Sequence, residues 1–364
     1  MRYYLRYGVD LKEREEFTFS PVNFGVVLHA VIREVCDEIK KNGESYYLIS
    51  EEKRREMVKR SVAAITDIYQ NSILKDSSRN SFMIKRMEDL ADRTVWAMGE
   101  QLKCGDFVPF VFEHKFNMEV GDGDRKQLMS GTIDRVDICE NGTDVYVRII
   151  DYKTGKKDFN IVKTYYGIDI QLMVYMEAAM KLVAKMRPGK NVIPAGVFYY
   201  NISDPIVSAT TESAEEIEDK IKGELRLKGM VNSDKDIAEK MDNTEGTSLN
   251  IPVSRKADGG FDSRRSKVMN TEQFNILGRF VDVRAVDTAD RIAGGDIRRS
   301  PYKDGQFSSC DRCPYGAVCG FSVDLPGCNY RKLKKFDDEV LWNNIKEGVD
   351  ENGKKMDTGA EERD

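Results

Sequence analysis

The segment VYVRIIDYK constrains the fold more than any other, because its side chains follow the two-residue period of a β-strand. Every second side chain of a strand points to the same face of a sheet. Val145, Val147, Ile149, Asp151 and Lys153 therefore share one face, whose apolar run ends in a carboxylate beside an ammonium group. Such a pair is either an ordinary ion pair at the end of a strand or part of a functional site.

The preceding segment, GTIDRVD, is predicted to be a neighbouring strand that adds further carboxylates. Asp134 and Asp137 are three residues apart and so point to opposite faces, and we expect Asp137 to face away from Asp151. Gly131 allows backbone or ligand to approach closely. Carboxylates from two strands can hold a hard cation such as Mg²⁺, and a lysine can stabilise the nucleophile or the charged transition state. This combination is what metal-dependent phosphodiester hydrolysis requires.

The order of these residues resembles the PD-(D/E)XK nucleases, in their RecB-like branch. The branch carries GxxDRxD followed by DYKTG, which here supply Asp134, Asp151 and Lys153. Its downstream element is QxxxY, and Gln171 and Tyr175 match it at positions one helical turn apart.

Two upstream elements also have counterparts in this sequence. A histidine preceded by glycine on an early helix is matched by Gly25 and His29, and a glutamate ahead of the first strand is matched by Glu113. Taken alone, His29 is more typical of a buried core histidine, and Glu113 could equally pair with Lys115. Gln171 and Tyr175 could likewise be ordinary packing residues.

The resemblance implies an α/β, restriction-endonuclease-like PD-(D/E)XK core, in which a mixed sheet is flanked by helices. It implies catalytic roles for six residues, with Gln171 and Tyr175 orienting DNA or the lysine: Asp134, Asp151, Lys153, Glu113, Gln171 and Tyr175. It also implies that Mg²⁺ or Mn²⁺ is held by three side chains, namely His29, Asp134 and Asp151. His114 follows Glu113 on a strand, so we expect it to point to the opposite face.

The C-terminal third contains a cysteine motif of the form C-x₂-C-x₅-C, made by Cys310, Cys313 and Cys319. Three thiolates so spaced suit zinc or an iron–sulfur cluster. Residues 294–335 resemble the end of the B subunits of AddAB-type helicase–nucleases, which implies a [4Fe-4S] cluster whose fourth cysteine precedes a stretch like residues 2–14. That cysteine does not occur before residue 2, so either the chain is trimmed or the gene begins here, and Cys328 is the only local substitute. The cluster is expected to be incomplete in this chain.

Hydrophobic periodicity and turn signals divide the chain into helices, strands and five regions. Ser20 and Pro21 are suited to open the first helix. We predict helices over residues 21–40, 51–75, 82–104, 163–186 and 271–293, an antiparallel meander of three strands from residue 107, and a further strand in VIPAGVFYYNI. The regions are an N-terminal segment 1–20, a nuclease core 21–206 with a helical insert 50–104, a polar helical region 207–293, a cysteine segment 294–335 and an acidic, disordered tail 336–364.

Charge and composition exclude several classes of function. Residues 337–364 carry ten acidic and four basic side chains, so the rest of the chain has a net charge of +1 although the whole has −5. With only two histidines, the chain cannot form a three-histidine zinc site, and it has no Walker A or GxGxxG motif. No run approaches the ~20 apolar residues of a membrane helix. An odd number of cysteines and the lack of a signal peptide favour the cytoplasm.

The sequence thus predicts a Mg²⁺-dependent DNA exonuclease domain of a helicase–nuclease complex that processes double-strand breaks. The resemblance implies a partner A subunit that carries the ATP-driven motor, a DNA substrate and no membrane association. Two alternatives remain: a free-standing nuclease similar to RecB or Cas4, and a catalytically silent DNA-binding scaffold with the same fold.

Overall fold

A computed structural model describes residues 21–68, 78–120, 126–208, 213–311 and 313–361. The helices within these ranges are α1 Pro21–Lys41, α2 Glu51–Ile68, α3 Ser78–Lys103, α4 Ile161–Tyr165, α5 Gln171–Met186, α6 Ala214–Glu224, α7 Lys235–Met241, α8 Thr271–Ala293, α9 Gly316–Cys319 and α10 Asp338–Glu361. The strands are β1 Val108–Val120, β2 Gln127–Asn141, β3 Asp144–Lys153, β4 Asn191–Asn201, β5 Lys228–Asn232, β6 Val268–Met269, β7 Tyr302–Asp304, β8 Phe307–Ser308 and β9 Arg331–Lys332.

The first six strands form one mixed sheet whose spatial order follows the chain, β1-β2-β3-β4-β5-β6. β1, β2 and β3 run antiparallel, as the predicted meander requires. β4 lies parallel to β3, and the connection between them passes through α4 and α5. β5 is antiparallel to β4, and β6 is parallel to β5. β3 therefore lies inside the sheet, with a strand on each side.

Helices cover both faces of this sheet, so that β3 is buried on both sides. On one face, Tyr146 and Ile150 pack into a core with α1, α2 and α3. On the other face, Val145, Val147 and Ile149 pack against α5 and α8. The alternation predicted from VYVRIIDYK is thus the alternation between two hydrophobic cores, and the mixed sheet flanked by helices is confirmed.

A charged network lies on the α1 face of the sheet, where hydrophobic side chains would be expected. Asp137 is fully buried and accepts two hydrogen bonds from Arg135, at 2.7 and 2.6 Å, and one from Arg148 Nε at 2.8 Å. Arg148 also stacks over the ring of Phe107, at 4.8 Å from its centroid. Burial raises the pKa of Asp137, but the two guanidinium groups outweigh this and hold the pKa below its usual range. Asp137 therefore serves the fold and faces away from Asp151, as the strand period predicts.

The single helix predicted over residues 163–186 is wrong, since the structure has two helices there. α4 begins early, because the Asn160 side chain accepts a hydrogen bond from the Lys163 backbone amide. It ends before Gly167, whose φ of +70° breaks the helical path at low cost because glycine has no Cβ. α5 then begins at Gln171, so that Gln171 is the first residue of this helix.

Two further expectations need correction. Within the polar region 207–293, residues 228–232 form strand β5 of the main sheet, because their short apolar run is buried between neighbouring elements. The tail predicted to be disordered contains helix α10, whose Leu341 and Ile345 are buried in the core that includes α8. The many acidic residues of this segment made the helical spacing of its few apolar side chains difficult to recognise in the sequence. The expected end of the second helix, at residue 75, lies outside the described residues, which include α2 as far as Ile68.

None of the helices in the described ranges is both long enough and apolar enough to cross a membrane.

The packing of α10 predicts unequal effects for two aliphatic residues of the same helix. Ile345→Ala removes a fully buried side chain and should lower the free energy of unfolding by roughly 2–5 kcal/mol, because it leaves a cavity. Val340→Ala is the matched control, since Val340 is 47% exposed and its truncation should have little effect. Equal, small changes in a urea unfolding experiment would show that α10 does not pack on the nuclease core.

Candidate active site

The site is built where β2 and β3 separate. Their ladder ends at the pair Arg135 and Ile150, and the next residue of β2 is Asp134. Its carboxylate accepts a hydrogen bond from the backbone N–H of Tyr152 at 2.7 Å, in place of a strand-to-strand bond. This hydrogen bond holds the Asp134 side chain at the point where the two strands separate.

Three side chains from three elements converge at this point. His29 Nδ1 lies 3.5 Å from Asp134 Oδ1 and 3.6 Å from Glu113 Oε1. One ligand atom of each of these residues lies within 4.8 Å of the others, and no other such group of three or more His, Cys, Asp or Glu side chains occurs among the described residues. An imidazole nitrogen and carboxylate oxygens are suitable ligands for Mg²⁺ or Mn²⁺. Glu113, which the sequence left open, therefore belongs to this group, as does His29.

Glu113 takes part through a strained backbone. Its φ is +47°, and among the described residues it is the one non-glycine residue with a positive φ. This conformation costs roughly 1 kcal/mol or more for a residue with a Cβ. Because such strain persists only where the surroundings impose it, we attribute it to the placement of the Glu113 carboxylate beside His29.

The electrostatics of the group favour a bound cation. Burial alone would lower the pKa of His29, but hydrogen bonding to Asp134 and Glu113 raises it to about 10. His29 also contacts the ring of Tyr152 edge-to-face, with centroids 5.9 Å apart, which fixes the plane of the imidazole. Two carboxylates that hold a proton on histidine this firmly provide strong negative potential for a metal ion.

Asp151 and Lys153 lie beside the group on the same face of β3. The Lys153 ammonium is 2.5 Å from Asp151 Oδ2, and the Asp151 side chain is only 2% exposed. Burial and the charge of Asp134 raise the pKa of Asp151 to about 6, although Lys153 and His29 oppose the shift. Asp151 lies outside the three-residue group but interacts electrostatically with two of its members. Of the predicted ligands, His29 and Asp134 are thus brought together with Glu113, and Asp151 lies beside them.

Gln171 and Tyr175 lie on the face of α5 that meets the site. Gln171 Nε2 donates a hydrogen bond to the Tyr175 hydroxyl at 2.9 Å. Burial raises the pKa of Tyr175, and the charges of Asp151, Asp134 and Glu113 contribute to the shift. The Tyr175 ring packs edge-to-face on Phe116, and a Cβ at Gly131 would lie only 2.9 Å from Phe116. Gly131 is thus required so that the aromatic pair can approach β2.

A network of contacts around the Tyr199 ring, next to Lys153, was not predicted from the sequence. The Tyr199 ring lies 5.7 Å from the Lys153 ammonium and 4.5 Å from that of Lys157. The Tyr199 hydroxyl donates to Asp169 Oδ1 at 2.8 Å, and Lys157 forms an ion pair with the same atom at 3.1 Å. Asp169 precedes Gln171 by two residues, so this network ties the start of α5 to the sheet. The role of Tyr199 could have been predicted only from the parallel pairing of β3 with β4, which places Tyr199 opposite Asp151.

The cysteine segment folds beside the core. Strands β7, β8 and β9 make a small sheet, and Lys163 of α4 pairs with Asp304 of β7 at 3.0 Å. Cys310 is partly buried, whereas Cys313 and Cys319 are exposed. Within the part of the chain that the structure describes, their sulfur atoms do not form a three-ligand group.

His114 lies outside the group of His29, Glu113 and Asp134, as expected. Ser20 and residues 1–20 as a whole lie outside the described residues.

Comparison with known proteins agrees with this geometry. The family model described as the PD-(D/E)XK nuclease superfamily matches residues 1–320. The B subunits of bacterial ATP-dependent helicase/deoxyribonucleases are similar. That of Thermoanaerobacter sp. (strain X514) is 33% identical over an alignment of 366 positions that covers 98% of this chain and 32% of that protein. The counterpart from Caldanaerobacter subterraneus subsp. tengcongensis is 34% identical over an alignment of 373 positions that covers 100% of this chain and 32% of that protein.

The chain therefore spans about a third of the length of these relatives. The family match covers most of the chain, and the residues that carry the motif meet at one point of the fold. The chain belongs to the PD-(D/E)XK nuclease superfamily.

Proposed function

We propose that this chain is the metal-dependent deoxyribonuclease domain of a helicase–nuclease complex, acting as an exonuclease on DNA ends during recombinational repair of double-strand breaks. The observation that carries the proposal is the convergence of His29, Glu113 and Asp134 beside the Asp151–Lys153 pair. A catalytically silent scaffold does not need a strained glutamate or a buried aspartate at such a point.

The residues present fit Mg²⁺ or Mn²⁺. Their donors are carboxylate oxygens and one imidazole nitrogen, and the site retains negative charge that no arginine neutralises within hydrogen-bonding distance in the described residues. His29, Glu113 and Asp134 would hold the ion, with Asp151 adjacent to it. When bound, the ion acidifies a water molecule and neutralises charge on the phosphate.

The chain's own groups then have distinct tasks. Lys153 lies close to Asp151, where its ammonium can orient the attacking water and stabilise the charge that develops on the phosphate. Gln171 and Tyr175 present an amide and a hydroxyl at the same edge and can orient the DNA strand. Tyr199 and Asp169 fix the elements that carry Lys153 and Gln171.

The complex and its substrate are inferred from the relatives. Their names specify a helicase/deoxyribonuclease, and the part that they share with this chain covers nearly all of its residues. We therefore propose DNA as the substrate and an A-type subunit with the ATP-driven motor as the partner. We also propose that the cytoplasm is the site of action and that Cys310, Cys313 and Cys319 are ligands of a [4Fe-4S] cluster.

The first prediction concerns catalysis. Asp151→Ala and Lys153→Ala should each lower the rate of Mg²⁺-dependent cleavage of linear DNA by at least about 100-fold, the loss typical of removing one transition-state contact. Lys156→Ala is the matched control, because Lys156 is an exposed lysine of the same segment, and it should cleave DNA at the normal rate. Undiminished cleavage by the Asp151 variant, with its melting temperature unchanged, would sink the assignment.

The second prediction separates the two histidines. His29→Ala should weaken Mn²⁺ binding by roughly 10-fold or more, whereas His114→Ala should not change it. In protein labelled with ¹⁵N-histidine, Mn²⁺ should broaden the ring signals of His29 beyond detection and those of His114 less, because paramagnetic broadening falls steeply with distance from the ion. Mn²⁺ binding that leaves the His29 signals unbroadened would exclude this residue as a ligand.

The third prediction concerns the cysteines. Three thiolates leave one iron of a [4Fe-4S] cluster without a cysteine ligand, so the 364-residue chain should purify with little iron or sulfide. Extension upstream to include a cysteine should turn the protein brown and raise its melting temperature, and Cys313→Ser in that longer protein should reverse both effects. Cys104→Ser is the control, and should leave the iron content unchanged. A full cluster in the 364-residue chain would contradict this and implicate Cys328 or another group as the fourth ligand.

A further inference from the structure

Four arginines line one cavity in the C-terminal part of the chain, remote in sequence from every residue of the nuclease motif. Arg291 comes from the last turn of α8, Arg298 and Arg299 from the loop before β7, and Arg331 from β9. The cavity has a volume of about 720 Å³, and its lining includes no acidic side chain. Such a concentration of positive charge is unexpected in a chain with a net charge of −5.

The arginines are held in place by contacts that leave much of their charge available. Asp296 accepts hydrogen bonds from Arg291 at 2.8 and 3.0 Å and from Arg298 at 2.6 and 2.9 Å. These guanidinium groups hold the pKa of Asp296 far below its usual range. One carboxylate thus orients two arginines, of which Arg298 remains 76% exposed.

The other two arginines bind backbone carbonyls, which orient a guanidinium without neutralising it. Arg299 donates to the carbonyl of Gly320 at 3.2 Å, and Arg331 donates to that of Ser300 at 3.1 Å. Four guanidinium groups and the Asp296 carboxylate together carry a net charge of +3. The cavity is therefore an ordered, positively charged site rather than a set of unconnected surface chains.

The geometry points to a phosphate-binding site, and we propose that it holds the backbone of a single-stranded nucleic acid outside the active site. Guanidinium groups match phosphate oxygens in a bidentate geometry, and arginine is the preferred residue for phosphate recognition. The volume is much larger than one phosphate group needs, and several arginines placed around it suit a chain of phosphates. This inference rests on the proposed nuclease function and assigns a second contact point to its substrate.

The cavity is connected to the active site through packed elements. The small sheet that contains β7 and β9 docks on α4 through the Lys163–Asp304 ion pair and through a hydrogen bond from the Lys334 amide to the Tyr166 hydroxyl, at 3.0 Å. The segment after α4 carries Asp169, which bonds to Tyr199 beneath Lys153. A strand held in the cavity can therefore lie in a fixed position relative to the site of cleavage.

The test measures binding of a fluorescent single-stranded oligonucleotide in the presence of a chelator, so that no cleavage occurs. The double variant Arg291→Gln, Arg298→Gln should weaken binding about 10-fold at low salt. It should also reduce the slope of log K against log salt by about 1.4, because each lost phosphate contact to a single strand contributes ~0.7. Arg298→Lys keeps the charge and should retain most of the salt slope while losing affinity through its poorer geometry.

Arg60→Gln is the matched control, since Arg60 is also an exposed arginine paired with a carboxylate, Glu38 on α1. It should bind the oligonucleotide like the unaltered chain. An affinity and salt slope of the double variant equal to those of Arg60→Gln, with its melting temperature preserved, would overturn the proposal. Inorganic tripolyphosphate is a further probe: if the arginine variants lose its binding but keep that of the oligonucleotide, the cavity serves a free polyphosphate and the proposal fails.

The two proposals fail separately in this design. Arginine-dependent oligonucleotide binding by a chain that never cleaves DNA with Mg²⁺ or Mn²⁺ would refute the nuclease function and leave the cavity assignment intact. Cleavage by a chain whose oligonucleotide binding is independent of the arginines would refute the cavity assignment alone.

Discussion

The buried network of Asp137, Arg135 and Arg148 sets the register on which the active site depends. Asp137 and Arg148 lie directly opposite each other on β2 and β3, and their hydrogen bond can form in one register only. A slip of one residue would turn every side chain of a strand to the other face. Asp134 would then leave the site and enter the core packed against α1. The network is costly to desolvate, so its role is better understood as specifying register than as adding stability.

The same register allows the two faces of the sheet to contribute to one site. α1 packs on one face and supplies His29, while α5 packs on the other and supplies Gln171 and Tyr175. If β2 and β3 were paired along their whole length, the sheet would separate His29 from Gln171 and Tyr175. Because β2 pairs with β3 only from Arg135 to Asn141, Asp134 and Asp151 lie at an opening that both helices can reach. The meeting of His29, Glu113 and Asp134 with Lys153 and with the Gln171–Tyr175 pair is thus a consequence of one strand divergence.

Local periodicity was enough to predict strands β1 to β4 and the Asp151–Lys153 pair, because the polar residues at the end of β3 fall on one face. His29, Glu113, Gln171 and Tyr175 were expected only from the resemblance to the nuclease family. The period placed Asp151 with Lys153 and turned Asp137 away, both as the structure has them. It could not place Glu113 in the metal group, since that requires a positive φ that nothing in the sequence indicates. Tyr199 was missed because it reaches the site through a parallel pairing of distant segments, and helix α10 was missed because its charges hid two core residues.

The distribution of charge explains how an acidic chain can act on a polyanion. All of the excess negative charge lies in residues 337–364, and the acidic groups of the site lie together where a cation would neutralise them. Charges separated by more than the Debye length, about 8 Å at physiological ionic strength, are largely screened from each other in solvent. A phosphate near Lys153 or Lys157 would therefore respond to those ammonium groups, and one near Arg298 would respond to the arginine cavity. Local potential, and not the net charge of the chain, would govern contact with a polyanion.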